Sequence, residues 1–415
     1  MNLFTTLFLC SLGASIIVQW VLVQRHMKHI QTNRQAVPDE FSDKIPLEAH
    51  QKAADYTQAK VKTGMTELLI GAVFLLIWTL AGGLQLLDGF LRSFELPELA
   101  TGTIFILAVF AIMSILDLPM SLYRTFKLEQ SFGFNKMTMK VFFMDMIKNS
   151  ILGVIIGTPL LLLILWFMAN AGQYWWLYAW VSVISFVLFF TWAYPAFIAP
   201  MFNKFTPLDN EELKTKIETL LTKNGFKSQG VYVMDGSLRS THGNAYFAGF
   251  GSNKRIVFFD TLIDTLSYDE IEAVLAHELG HFKCNHVKKL TLLQAFLYFV
   301  AFAVLGWLSG QLWFFNGLGV EQPSNYMALT LFILVASTFT FFLTPLIKML
   351  TRKYEFEADD FAVAQADSKD LIQALVTLYK ENANTLTPDP LYSAFHDSHP
   401  PAPIRIAHLK SAQVT

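Results

Sequence analysis

Charge is scarce in this 415-residue chain: 15% of residues are Asp, Glu, Lys or Arg, against about 25% in an ordinary soluble domain. That scarcity excludes a chain built only of water-soluble domains. The net charge is −2, so there is no basic excess of the kind a nucleic-acid partner needs. Cysteine is scarcer still. The two, Cys10 and Cys284, cannot form a disulfide framework and read as free thiols in a reducing compartment. Internal repeats and low-complexity tracts are absent, which excludes a solenoid or a disordered scaffold. No cleavage site follows the first apolar run, so that run reads as a retained helix and not as a signal peptide.

Hydrophobic residues make up 53% of the chain, with 38 Phe and 9 Trp, and the mean hydropathy is +0.40. A helix crossing a bilayer needs about 20 mostly apolar residues. Seven segments qualify: 3–23, 68–87, 101–122, 150–169, 174–198, 290–312 and 327–350. Lys and Arg alternate between the intervening loops. Seven (Arg25, Lys28, Arg34, Lys44, Lys52, Lys60, Lys62) follow the first span, one (Arg92) the second and five (Arg124, Lys127, Lys136, Lys140, Lys148) the third. The loops after spans four and six have none. The positive-inside rule therefore puts the N-terminus outside and the C-terminus in the cytoplasm. Residues 1–198 carry spans one to five, and 290–350 carry spans six and seven. The polar segments 199–289 and 351–415 are long enough to fold on the cytoplasmic side. Within the first, 210–224 has helical spacing, 230–234 and 255–260 read as strands, and 245–250 is a weaker strand. A helix over 267–281 starts at Ser267, with Glu270 completing a capping box.

That helix carries His277-Glu278-Leu279-Gly280-His281. Residues four apart lie one turn apart on one face, so two imidazoles can share one tetrahedral ion. Glu278 beside them can deprotonate a metal-bound water. A catalytic zinc site needs a third protein ligand and an open position. The run Arg352-Lys353-Tyr354-Glu355-Phe356-Glu357-Ala358-Asp359 offers Glu355 as that ligand, with Asp359 one turn on to orient a ligand histidine. Glu357 lies about 200° from Glu355 on a helix, so it is expected to be dispensable. His242, Cys284 and His286 could be surplus ligands, and structural roles are expected for them. Asp117, beside Pro119 in span three, is a carboxylate near the cytoplasmic end of a span. An exposed edge strand at Asn244, Ala245, Tyr246 and Phe247 would bind an extended peptide by backbone pairing; an interior strand there would not.

The chain resembles the integral-membrane zinc proteases typified by the type I CAAX prenyl endopeptidase. The matching residues are His277 to His281 with His286, Arg352-x-x-Glu355-x-x-Ala358-Asp359, Asn244-Ala245-Tyr246-Phe247, and Ser398-His399-Pro400 with Arg405. Tyr194-Pro195, Pro200-x-Phe202-Asn203 and Phe132-Gly133-Phe134-Asn135 match as well. The resemblance implies a mainly α polytopic membrane protein. Its seven transmembrane helices would enclose a chamber, capped by a cytoplasmic zincin-like α+β metalloprotease domain. It implies one Zn2+ per chain and cleavage near the C-terminus of prenylated C-a-a-X proteins. It also implies that His399 and Arg405 contact substrate or the developing oxyanion, a role their donor groups suit. The expected partners are a peptide or protein substrate and the lipid bilayer, either the bacterial inner membrane or the endoplasmic reticulum. Two alternatives are a smaller heat-shock-type membrane protease for quality control and, in another class, a seven-span transporter or receptor with a regulatory metal. The extra N-terminal spans argue against the first. The few charges in the spans, and Glu278, argue against the second.

Overall fold

The computed structural model describes residues 2–248 and 253–412. Seven of its helical segments are long and apolar enough to cross a membrane: Leu3–Asn33, Leu47–Trp78, Glu98–Glu129, Met139–Asn170, Gly172–Phe202, His286–Leu308 and Asn325–Val363. Most overrun the apolar windows that mark them in the sequence, because helices continue into polar residues beyond the lipid. The second span differs most from its expected limits of 68–87. It ends at Trp78, and a separate helix, Gly83–Arg92, follows. Gly82 sits at φ +81°, a conformation L side chains rarely adopt, and a Cβ on Gly83 would stand 2.8 Å from the Ile77 carbonyl oxygen. The chain therefore turns there instead of continuing.

The spans pack tightly at one end only. Phe8, Trp78, Phe105, Leu165, Ala179, Leu305 and Met327 belong to one buried cluster. They come from the first turns of spans one, three, five and seven and the last turns of spans two, four and six. The short helices Gly83–Arg92 and Leu312–Gly317 add Leu84 and Phe314 to the same cluster. Toward the other end the helices separate around two cavities of about 580 and 570 Å3 that share Gln19 and Leu68. The first is lined by spans one, two, three and seven and includes Asp117, which hydrogen-bonds Ser121 at 2.9 Å. The second runs from Gln19 and His26 to His399. The bundle is thus a chamber closed at the far end and extending to the polar domain, called the head below.

The head holds a four-stranded sheet of β1 (Phe205–Pro207), β2 (Lys227–Met234), β3 (Ala245–Ala248) and β4 (Asn253–Phe259), in the order β1-β2-β4-β3. β2 and β4 are parallel, and the two outer strands are antiparallel to their neighbours. β3 is therefore an edge strand, as the peptide-pairing expectation requires; Gly249 and Phe250, expected to extend it, lie outside the described residues. The helix Glu211–Lys223 is capped by Asn210, and Gly225 follows at φ +79°. Leu213, Ile217 and Leu220 of that helix pack with Ile256 and Phe258 of β4 and with Ile271, Leu275 and Leu279 of the helix Tyr268–Lys283. Phe41 and Ile45, from the basic loop after span one, pack on Val376 and Ile406 of the head. The head and that loop therefore share one end of the bundle.

Candidate metal centre and its surroundings

Three helices converge on the histidine motif. The motif helix Tyr268–Lys283 starts at Ser267 with both halves of its capping box formed, so its first turn is anchored. Ile271, Leu275 and Leu279, at spacing i, i+4, i+8, bury one face in the head core. The second helix, Thr344–Val363, continues span seven into the head after a short 3-10 stretch at Phe341–Leu343 and carries Glu355 and Asp359. The two helices almost touch at the backbone. A Cβ on Gly280 would lie 3.0 Å from both the Cα and the carbonyl oxygen of Ala358. Glycine at 280 and alanine at 358 are what let the two rows of functional side chains approach. The third helix, Ala402–Ala412, brings Arg405.

His277, His281 and Glu355 each place a ligand atom within 4.8 Å of the others. The two Nε2 atoms are 3.3 Å apart. Glu355 Oε1 lies 3.4 Å from His281 Nε2, and Oε2 lies 3.5 Å from His277 Nε2. On its other side, His277 Nδ1 is 2.7 Å from Asp359 Oδ1. A ring N–H donated to that carboxylate leaves Nε2 as a lone pair facing the cluster. Glu355 Oε2 is buried and has no hydrogen-bond partner among the described residues. Arg405 Nη1 stands 3.6 Å away, outside hydrogen-bond distance, so the oxygen lacks a full partner, a costly state unless a closer cation takes it. Two imidazole nitrogens and one carboxylate oxygen, all turned toward one point, fit a catalytic metal with an open fourth position.

Arg405 is 6% exposed. Its fork grips Asp359, with Nε 2.9 Å from Oδ2 and Nη2 2.5 Å from Oδ1. Nη2 also comes within 3.3 Å of His277 Nδ1, and Nη1 stands 3.6 Å from Glu355 Oε2. Contact with substrate or the developing oxyanion is expected of both Arg405 and His399, and the structure places the two differently. Arg405 is packed behind the ligands, and its guanidinium is spent on a carboxylate. His399 has a side chain 61% exposed and reaches Glu355 Oε1 at 3.4 Å, while Ser398 lies against its Nδ1 at 3.0 Å. Burial and the Arg405 charge oppose a charged His277, but the neighbouring Asp359 and Glu355 carboxylates outweigh them and raise its pKa. Burial also works against the Arg405 charge, yet the contact with Asp359 raises its pKa further.

The remaining expected residues separate cleanly. Glu278 follows His277 on the motif helix and is half-buried. Phe247 of β3 contacts the Phe282 ring at 5.6 Å, which sets the edge strand against the motif helix. Asn244 accepts the Phe259 N–H at its carbonyl oxygen, just before that strand. His242 stacks on Phe134 at 4.7 Å and pairs with Asn382, away from the ligand group. Cys10 is exposed on span one and Cys284 is half-buried; burial and then the Glu357 charge raise the Cys284 pKa. Glu357 has a partner that helical register alone does not indicate. It does turn away from Glu355, as the helical register requires, but it is engaged: its Oε2 lies 2.9 Å from His286 Nε2. His286 in turn meets His281, with Nδ1 to Nδ1 at 3.0 Å. The sequence signal for this contact was the histidine five residues past His281. Nothing in the spacing indicated that Glu357 would come from another helix to meet it.

A family described as CAAX prenyl protease N-terminal, five membrane helices, matches residues 26–204, and peptidase family M48 matches residues 207–413. The CAAX prenyl protease 1 homolog of Arabidopsis thaliana is 41% identical over 72% of this chain and 70% of its own. CAAX prenyl protease 1 of Saccharomyces cerevisiae is 34% identical over 90% of this chain and 88% of its own. For the human homolog the identity is 32%, over 96% and 95%. The crystal structure of S. mikatae Ste24p superposes with a TM-score of 0.92 at 30% identity and covers 99% of both chains. A multi-pass membrane bundle, a metal-ready His-His-Glu group and these likenesses agree: the chain belongs to peptidase family M48, as an integral-membrane metalloendopeptidase of the CAAX prenyl protease 1 type.

Proposed function

We propose that the enzyme holds one zinc ion between His277, His281 and Glu355 and cleaves prenylated C-a-a-X proteins near their C-terminus, at the cytoplasmic face of its membrane. The observation that carries the metal site is the buried Glu355 carboxylate, with Oε2 making no hydrogen bond among the described residues and its two oxygens 3.5 and 3.4 Å from the Nε2 atoms of His277 and His281. Zinc, when bound, supplies a Lewis acid that polarises the scissile carbonyl and acidifies water. Glu278 takes the proton of the attacking water and passes it to the leaving nitrogen. His399, on the exposed side of Glu355, donates to the developing oxyanion. Asp359 holds His277 in the ligating tautomer, and Arg405 holds Asp359. An extended substrate pairs with the free edge of β3 from Ala245 to Phe247, with Asn244 at its entrance.

The prenyl reading is supported by the names of the relatives and by a mostly apolar, helix-lined cavity adjacent, at Gln19 and Leu68, to the cavity that reaches His399. The cytoplasmic orientation is supported by the basic loop after span one, which packs on the head. Mass spectrometry of products from matched prenylated and unlipidated peptides tests the substrate class. Faster cleavage of the prenylated member near its C-terminus is expected. Equal cleavage of both would favour general processing of membrane proteins.

A further inference from the structure

The two ligand histidines are backed differently. His277 leans on a buried carboxylate, Asp359, neutralised by Arg405. His281 has no carboxylate behind it. Its Nδ1 faces His286 Nδ1 at 3.0 Å, and the far nitrogen of His286 faces Glu357 Oε2 at 2.9 Å. His286 is 1% exposed and lies flat on Tyr354, with ring centroids 4.3 Å apart and planes 9° apart. Its ring plane is therefore fixed, and its partners at the two nitrogens select the flip. Lys289 and Lys353 approach Glu357 at 3.9 and 3.7 Å and keep that carboxylate an anion and an acceptor.

The proton order along this row follows from the partners. Glu357 can only accept, so His286 gives it the Nε2–H. A neutral His286 then presents a bare Nδ1 to His281. His281 donates its own Nδ1–H there, which leaves its Nε2 as the lone pair directed at Glu355 and His277. A rotated or oppositely protonated His286 would put a proton where the acceptor is needed, and His281 would lose its ligating tautomer.

We propose that His286 and Glu357 are positioning residues for the metal centre, a two-member row that fixes the ring orientation and tautomer of His281. The row also has a structural address. His286 is the first residue of span six, reached through Asn285 at φ +59°, and Glu357 sits on the continuation of span seven. The head-side ends of two membrane spans thus meet at one metal ligand.

The proposal rests on the zinc reading, and zinc affinity measured by chelator competition on full-length protein separates the two. Failure of the wild type to bind one zinc would overturn the site reading itself. Given wild-type binding, His286→Phe keeps the stacked ring and removes the acceptor; zinc should bind about 10–100-fold more weakly, with the melting temperature of the metal-stripped protein little changed. His286→Asn returns an acceptor near the Nδ1 position and should recover most of the affinity. Glu357→Ala, at a partly exposed side chain, should weaken zinc about tenfold, the low end of the range. A folded His286→Phe protein with wild-type zinc affinity, or an Asn variant as weak as the Phe variant, would overturn the row. Should His286→Phe not fold, Glu357→Ala decides: weakened zinc with an unchanged melting temperature supports the row, and unchanged zinc affinity overturns it.

Discussion

The far end of the membrane bundle and the head are both tightly packed, but they bury different things. At the far end the buried cluster is apolar, and its one buried carboxylate, Asp88, is tied to the Tyr326 hydroxyl at 2.5 Å and to Arg92 at 2.9 Å. In the head, His277, Glu355, Asp359 and Arg405 are all buried within a few ångströms of one another. Burying charge costs free energy unless every partner is in place. The far end pairs its buried carboxylate fully, with a hydroxyl and a half-exposed guanidinium. The head leaves one carboxylate oxygen open, and that opening is where a metal fits. Between the two lies a chamber that needs neither property, so its walls are free to serve substrate.

The difference can be broken or sharpened by substitution. The largest effect is expected at Glu355→Ala, which removes a ligand and leaves the two histidines facing each other. Bound zinc and turnover should both be lost, as read by metal analysis and peptide cleavage. Gly280→Val comes next. The contact with Ala358 forces the motif helix off the Glu355 helix, at about 1–3 kcal/mol of overpacking. Zinc content and thermal stability should fall together. Tyr326→Phe, at the far end, should show the least. Losing the hydroxyl bond to Asp88 costs about 1–3 kcal/mol, visible as a lower melting temperature, while zinc content and turnover per folded molecule stay unchanged. A Tyr326→Phe protein that lost its metal would show that the two packed regions are coupled across the chamber.

Much of this was legible in the sequence because local chemistry specified it. The capping box at Ser267, the i, i+4 histidines and the shared helix of Glu355 and Asp359 are short-range patterns, and each occurs where its spacing placed it. The seven spans were legible as apolar windows, but their ends were not. A helix such as Leu47–Trp78 begins in polar residues that no hydropathy window includes, and it ends before a turn at Gly82 and Gly83 whose geometry only the fold reveals. Long-range partners were the least legible. Helical register showed that Glu357 turns away from Glu355, but not that His286 waits on the other side. Arg405 was legible as a cation near the site, but its commitment to Asp359 depends on three helices meeting.

The most direct test of the account is Glu278→Gln, assayed at once for bound zinc and for peptide hydrolysis. Gln keeps the size of the side chain and removes its basicity, and Glu278 lies outside the His277, His281 and Glu355 group. The variant should carry one zinc per chain, like the wild type, while turnover falls by about two to four orders of magnitude. A zinc-loaded Glu278→Gln enzyme with near-normal turnover would contradict the assignment of Glu278 as the base, and with it the chemistry assigned to this centre.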